Sequence, residues 1–293
     1  MKHAWKRMVL LAVSAAACGC GGKVKTTKVV SPAARPVARE ATEEELLDRY
    51  NAEAHSLQSI NATLELKATG GTKYTGVIDE YHEVKAFLLA SRPYNIRMVG
   101  QVPVVGKTVF DMTSDAQTFE VSIPPKNKFL TGRVAQERQS SKPIENLRPQ
   151  HLLDALLWPE VRKEEIVLIE ESNDENARYY VLTVLRGGYK SEILRKIWFD
   201  RADLRVVRLE AFGPKGALLS DARYADWQPV GPGSGEEYPR IIGINRPHDE
   251  YHLDLAISKI ALNEPLTPEQ FKLEAPAGAE IVHVGEEPGD EKP

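Results

Sequence analysis

The densest collection of ligand-type side chains is His248-Asp249-Glu250-Tyr251-His252-Leu253-Asp254. Along a strand, successive side chains alternate between faces, so His248, Glu250, His252 and Asp254 would share one side. Nitrogen and oxygen donors at that spacing could hold zinc. The same alternation puts Tyr251, Leu253, Leu255 and Ile257 on the opposite side. The polar set is then the wetted face of an amphipathic strand, and with no further ligand of fixed geometry no metal is expected. Asp79, Glu80 and Glu83, with His82 among them, could supply a carboxylate pair for acid–base work, but they read as a solvated strand face. Cys18 and Cys20 are too close for an unstrained disulfide and lack the other ligands of a metal site. Asn61-Ala62-Thr63 matches a glycosylation acceptor by spacing alone. The chain carries no Gly-x-Ser-x-Gly elbow, His-Glu-x-x-His helix or glycine-rich phosphate loop. No nucleophile stands beside a base, so neither enzymatic activity nor a cofactor is expected.

The elements that would position any site are mostly strands. Thr42 with Glu45 three residues on makes a capping box, and Leu46, Leu47, Tyr50, Ala54 and Leu57 recur at helical spacing. From Ser59 the period becomes two, with Ala62, Leu64, Leu66 and Ala68 on one face. Further strands are expected over 74–90, 95–101, 108–113, 118–123, 165–170, 178–186, 192–200, 205–212, 218–227, 240–245 and 250–259, separated by Gly, Pro, Asn and Asp turns. A second helix follows Pro149, with Leu152, Leu153, Leu156, Leu157 and Trp158 as its apolar side, and stops at Pro159. Thr267 to Phe271 reads as one capped turn, and 276–293 as a disordered tail. This order suggests one highly curved antiparallel sheet of about a dozen strands, with the helices sealing its concave face.

With 293 residues, 42% hydrophobic and 27% charged, the chain has an ordinary globular balance. Its formal charge of −4 argues against a nucleic-acid partner bound through overall basicity. Lys2, Lys6 and Arg7 precede an apolar run, Met8 to Ala17, that is too short to span a bilayer. Residues 1–17 read as a signal peptide. Ala15-Ala16-Ala17 directly before a cysteine resembles the bacterial lipobox, which implies acylation of Cys18, with Cys20 as the alternative. Residues 18–41 are then a lipidated cysteine and a flexible linker, and 42–275 the folded domain.

The order of elements in 42–275 resembles the bacterial outer-membrane lipoprotein-sorting family, the LolA/LolB-like fold. The likeness is carried by Ser91-Arg92-Pro93-Tyr94-Asn95-Ile96-Arg97-Met98, by Phe110 to Asp115, by Ile123 to Phe129 and by Phe271-Lys272-Leu273-Glu274-Ala275-Pro276. It implies a mostly β (α+β) fold: an incomplete antiparallel β-barrel of about eleven strands, with helices lidding an apolar cavity. It further implies acyl chains or lipoproteins as ligands, membrane attachment through the N-terminal lipid, a periplasmic lipoprotein carrier as partner, and an outer-membrane location facing the periplasm. Lid and cavity residues would be Leu46, Leu47, Tyr50, Leu152, Leu156 and Trp158. In the family's anchored acceptor a loop with proline, an exposed leucine and glycine inserts into the membrane. Here Gln101-Val102-Pro103-Val104-Val105-Gly106 occupies that place, with Val104 and Val105 as the inserting residues, unless they are simply buried strand residues. In the family's soluble carrier an arginine holds the lid shut by bonding helix backbone; Arg92 and Arg97 are the candidates, and strand-edge charge is the other reading of both. The alternative function is an RseB-like envelope sensor or interaction scaffold that binds a protein partner.

Overall fold

The computed structural model describes residues 37–72, 76–135, 146–174 and 177–284. The expectations placed on residues 1–36, including the signal peptide, Cys18 and Cys20, lie outside the described residues, as does 285–293.

Helix α1 (Glu43–Ser56) opens as its sequence requires: the Thr42 hydroxyl accepts from the Glu45 N–H, and the Glu45 carboxylate accepts from the Thr42 N–H. Its apolar stripe of Leu46, Tyr50 and Ala54 is buried. Helix α2 is short, Gln150–Leu156, and buries Leu152, Leu153, Ala155 and Leu156. The strands are β1 (Ser59–Thr72), β2 (Val77–Glu80), β3 (Val84–Ser91), β4 (Asn95–Gln101), β5 (Thr108–Ser114), β6 (Thr118–Ile123), β7 (Lys128–Arg133), β8 (Glu165–Asn173), β9 (Arg178–Arg186), β10 (Glu192–Asp200), β11 (Val206–Phe212), β12 (Leu218–Pro229), β13 (Glu237–Arg246), β14 (Tyr251–Leu262) and β15 (Glu280–Val284). All belong to one sheet ordered β15-β7-β6-β5-β4-β3-β1-β14-β13-β12-β11-β10-β9-β8, with β2 beside β1.

The sheet is mostly β, as expected, but mixed and open, not closed into a barrel. Two details correct the sequence reading. Among the described residues there are fifteen strands, against the eleven or dozen expected. Residues 280–284, assigned to a disordered tail, form β15, which pairs in parallel with β7. The return is possible because residues 264–279 run back along the sheet: Arg97 donates to Gln270 O and Lys272 O, and the Thr113 hydroxyl to Phe271 O. Glu280 N–H then bonds Asn127 O, which sets the register.

Curvature follows from what α2 touches. A seven-residue helix is only about 10 Å long. Yet α2 and the residues flanking it reach Phe119 on β6, Ser114 on β5, Tyr251 on β14, Tyr238 on β13 and Tyr224 on β12. In a flat sheet at about 4.8 Å per strand, β6 and β12, seven intervals apart, would stand about 34 Å from each other. The sheet must therefore curl around the helix. Inward positions of its strands, among them Leu64, Leu88, Met98, Leu182, Ile197, Ile242 and Leu255, join both helices in one core.

Candidate functional site

Three places bear on function: the clamp that holds the two helices, the loop at one end of β4, and a cleft at the other end of the sheet.

A helix leaves its last carbonyls without intrahelical partners. From Ala155, in the last turn of α2, to Val161 beyond it, six of the seven carbonyls are taken by a side chain from another element. Tyr224 OH donates to Ala155 O, Tyr238 OH to Leu156 O, Arg92 Nη2 to Trp158 O, Tyr50 OH to Pro159 O, Arg195 Nη2 to Glu160 O and Asn51 Nδ2 to Val161 O, at 2.6–3.1 Å. The Asn51 side-chain oxygen also accepts from the Val161 N–H. Burial pushes the Tyr50, Tyr224 and Tyr238 hydroxyls well above the ordinary tyrosine range, so all three stay protonated donors.

Arg92, in the β3–β4 turn, also reaches the end of α1. Its Nε donates to Leu57 O at 2.8 Å and its Nη2 to Ala54 O at 3.0 Å. One guanidinium therefore closes off the C-terminal ends of both helices, where the helix dipole favours a cation. Of the two arginines named as candidates for bonding helix backbone, Arg92 makes such bonds. Arg97 lies elsewhere: it pairs with Asp111 at 2.8 Å and holds the C-terminal segment.

The residues expected to form a lid are drawn together, but the space beneath them is filled. Leu46, Tyr50, Leu152, Leu156 and Trp158 are at most 3% exposed and belong to the main core, with Leu47 packed at its margin. The Trp158 indole stacks on Tyr50 and meets Tyr224 and Trp227 edge-on. The helices roof the sheet as expected; among the described residues these side chains pack into the core and do not line an open apolar cavity. A cleft of about 280 Å³ does open beside Trp158, but its walls include the ion-paired Arg49, Glu53, Arg205 and Glu237 as well as Trp227 and Leu57.

Near the first turn of α2, His151 Nδ1 lies 2.9 Å from Tyr251 OH. Asp249 is 3.8 Å from the imidazole, but its carboxylate is held by Arg246 at 2.7 Å. Burial, then the charges of Arg246 and Arg148, push the imidazole down to about 2, so it is neutral in the fold.

The loop after β4 keeps its apolar residues in water. Val102 N–H bonds Lys107 O, and Gly106 N–H bonds Val102 O. Val104 is fully exposed and Val105 is 76% exposed. The alternative that these valines are buried strand residues does not hold. Val104 also sits at φ 68°, a left-handed conformation that a β-branched residue adopts only under strain.

The acidic and histidine motifs stay apart. His252 and Asp254 pair at 2.9 Å on the outer face of β14, whereas His248 and Glu250 fall in the turn before it. Glu80 pairs with Lys67, and Asp79, His82 and Glu83 are exposed. Among the described residues no three His, Cys, Asp or Glu side chains assemble as a metal site. Sequence reasoning missed Tyr224, Tyr238, Asn51 and Arg195 as clamp residues. The available signal was a tyrosine at an inward strand position, whose hydroxyl must find a partner when buried.

No protein-family model and no curated protein sequence matches the chain. Solved structures do. A DUF1329 family protein from Desulfovibrio piger has 13% identity and a TM-score of 0.50, over 78% of this chain and 94% of that one. A LolA superfamily protein from Nitrosomonas europaea has 13% identity and a TM-score of 0.48, over 80% of this chain and 99% of its own. A domain from Vibrio parahaemolyticus described as an outer membrane lipoprotein-sorting protein has 12% identity and a TM-score of 0.47, over 78% and 94%. At such identities the likeness is one of fold alone.

Proposed function

We propose that this chain is a non-enzymatic binding protein of the bacterial envelope that engages a membrane through the Val104–Val105 loop and accepts acyl chains, free or on lipoproteins, beneath its two helices. Acylation of Cys18, or of Cys20, would tether it, with the outer membrane as its location and a periplasmic lipoprotein carrier as its donor. The observation that carries this reading is the loop. Two valines in water gain nothing for the fold, and the left-handed Val104 costs the fold about 1–2 kcal/mol. Transfer to hydrocarbon would return about 0.8 kcal/mol per buried methylene-sized group. The LolA-like fold agrees with a lipid or lipoprotein ligand.

The filled space beneath the helices favours a second reading, a scaffold of the same fold that binds a protein partner. Titration with a fluorescent acyl probe separates the two. Saturable binding that is competed by unlabelled fatty acid supports the first. Absence of binding, both to the probe and to vesicles, overturns it.

A further inference from the structure

In an antiparallel sheet the turns alternate between its two ends, so the register fixes which turns lie together. The β4–β5 turn shares its end with the β1–β2–β3 connection, because Lys85 pairs with Gln101 and Leu66 with Val84. The pairings Ile123 with Lys128, Glu192 with Arg186, Phe212 with Leu218 and Arg246 with Tyr251 add the β6–β7, β9–β10, β11–β12 and β13–β14 turns. The opposite end holds the β3–β4, β5–β6, β8–β9, β10–β11 and β12–β13 turns.

The two ends differ in chemistry. At the Val104 end, four separate turns present the exposed lysines Lys107, Lys126, Lys190 and Lys215, and none of these has an ion-pair partner among the described residues. Interleaved with them are exposed apolar and aromatic side chains: Val104, Val105, Val77, Ile78 and a fully exposed Tyr189. Acidic groups are there too, but Glu80 is neutralised by Lys67, Asp249 by Arg246, Glu192 by Arg186 and Glu280 by Lys128, which leaves Asp79, Glu83, Glu250 and Glu164, the last beside the exposed Lys163. The opposite end presents Asp115, Asp174, Asp203 and Glu236 in its turns, and the guanidiniums of Arg92, Arg201 and Arg205 are already engaged.

From this polarity we infer that the whole rim at the Val104 end, and not the β4–β5 loop alone, is a docking surface for an anionic lipid bilayer. The inference rests on the membrane reading of Val104 and Val105 and adds an electrostatic component spread over four turns. Lysines on separate turns gather headgroup phosphates, the valines and Ile78 enter the acyl boundary, and Tyr189 sits where amphipathic rings favour the interface.

The test is flotation of residues 18–293, with Cys18→Ser and Cys20→Ser so that no acyl anchor contributes. Vesicles are of phosphatidylethanolamine with phosphatidylglycerol, and of phosphatidylcholine alone. Each lysine near an anionic surface contributes roughly fivefold to partitioning. The Lys107→Gln/Lys126→Gln/Lys190→Gln/Lys215→Gln variant is therefore expected to bind phosphatidylglycerol vesicles about 600-fold more weakly, and the parent to lose binding as salt is raised. The lysines are in exposed turns, so the circular dichroism of the variant should match the parent. If the variant binds like the parent while Val104→Asp does not bind, the rim is overturned and the loop reading stands. If Val104→Asp binds like the parent and the lysine variant fails, the loop reading falls alone. If the parent floats with neither vesicle, both fall.

Discussion

Replacing Arg92 by leucine should release the ends of both helices at once. The change removes three hydrogen bonds from one charged group, at 2.8, 3.0 and 2.6 Å. A hydrogen bond from a charged donor contributes a net ~1.5–3 kcal/mol. Ala54, Leu57 and Trp158 are all buried, at most 6% exposed, so water does not readily replace the guanidinium at any of the three carbonyls. One guanidinium shares its charge among the three acceptors, so each bond is counted near the value of a neutral one, about 1–1.5 kcal/mol, which gives a loss of about 3–4 kcal/mol. For a domain of this size that is a fall in Tm of roughly 6–15 °C. Arg92→Lys retains the charge but lacks the planar fork, and should recover no more than about a third of the loss. Urea unfolding measures the magnitude, and amide exchange shows where it acts: protection should fall in 50–57 and 152–161 before it falls in β1 or β14. If Arg92→Leu stays within about 0.5 kcal/mol of the parent, or if protection falls evenly across the sheet, the guanidinium does not act as the clamp described.

The remaining predictions concern three other groups. His151 is held neutral in the fold and takes up a proton on unfolding, so its contribution is whole above its unfolded pKa and is lost as pH falls below it. Between pH 8 and 5 that is about 2 kcal/mol; stability measured across this range should lose much of its slope in His151→Phe. Tyr224→Phe and Tyr238→Phe each orphan a buried carbonyl and should each cost about 1–2 kcal/mol in urea unfolding. Val104→Gly removes the left-handed strain and should raise stability by up to about 1 kcal/mol while weakening vesicle binding, which thermal melts and flotation read separately. Arg92 and Val104 are at opposite ends of β4, about 23 Å apart by strand rise. The stability changes of Arg92→Leu and Val104→Gly should therefore add to within about 0.5 kcal/mol in the double variant.

What the sequence reveals and what it hides follow from the range of the interactions. The start of α1 was readable because Thr42 and Glu45 satisfy each other three residues apart, and β1 because Ala62, Leu64 and Leu66 alternate without a break. The two capped turns at Thr42 and Thr267 have the same local origin. Strand β15 was not readable: Glu280–Val284 is mostly exposed, and what makes it a strand is its parallel pairing with β7, about 150 residues earlier. The clamp was half visible. Arg92 stood out beside Pro93, but its acceptors come from three residues on two elements. Tyr224 and Tyr238 looked like ordinary inward strand positions, because an apolar pattern does not report where a hydroxyl points. The filled space beneath the helices was invisible for a similar reason: Leu46, Leu152 and Trp158 would look the same lining a cavity or filling one.

The clamp also bears on how a ligand could enter beneath the helices. Freeing the chain after α2 breaks bonds from Tyr224, Tyr238, Arg92, Tyr50, Arg195 and Asn51, which come from β12, β13, the β3–β4 turn, β10 and α1. At ~1–3 kcal/mol for each buried group left unpaired, that approaches the whole stability of a typical domain, about 5–15 kcal/mol. The other end of α2 is held by less: Gln150 accepts from Ser114, His151 meets Tyr251, and Arg148 lies over Phe119. A rotation of α2 about its fixed C-terminal end breaks these contacts and the Asn146 bond to Asp249 O, and lifts Leu152 and Leu153 from the core at about 1.5–3 kcal/mol each. An acyl chain taking their place would gain about 0.8 kcal/mol per methylene, so about ten carbons would offset the loss. For the proposed acyl ligand, entry beneath the helices would thus be cheapest on the side of β5, β6 and β14, where His151 stands, and dearest on the side of Arg92.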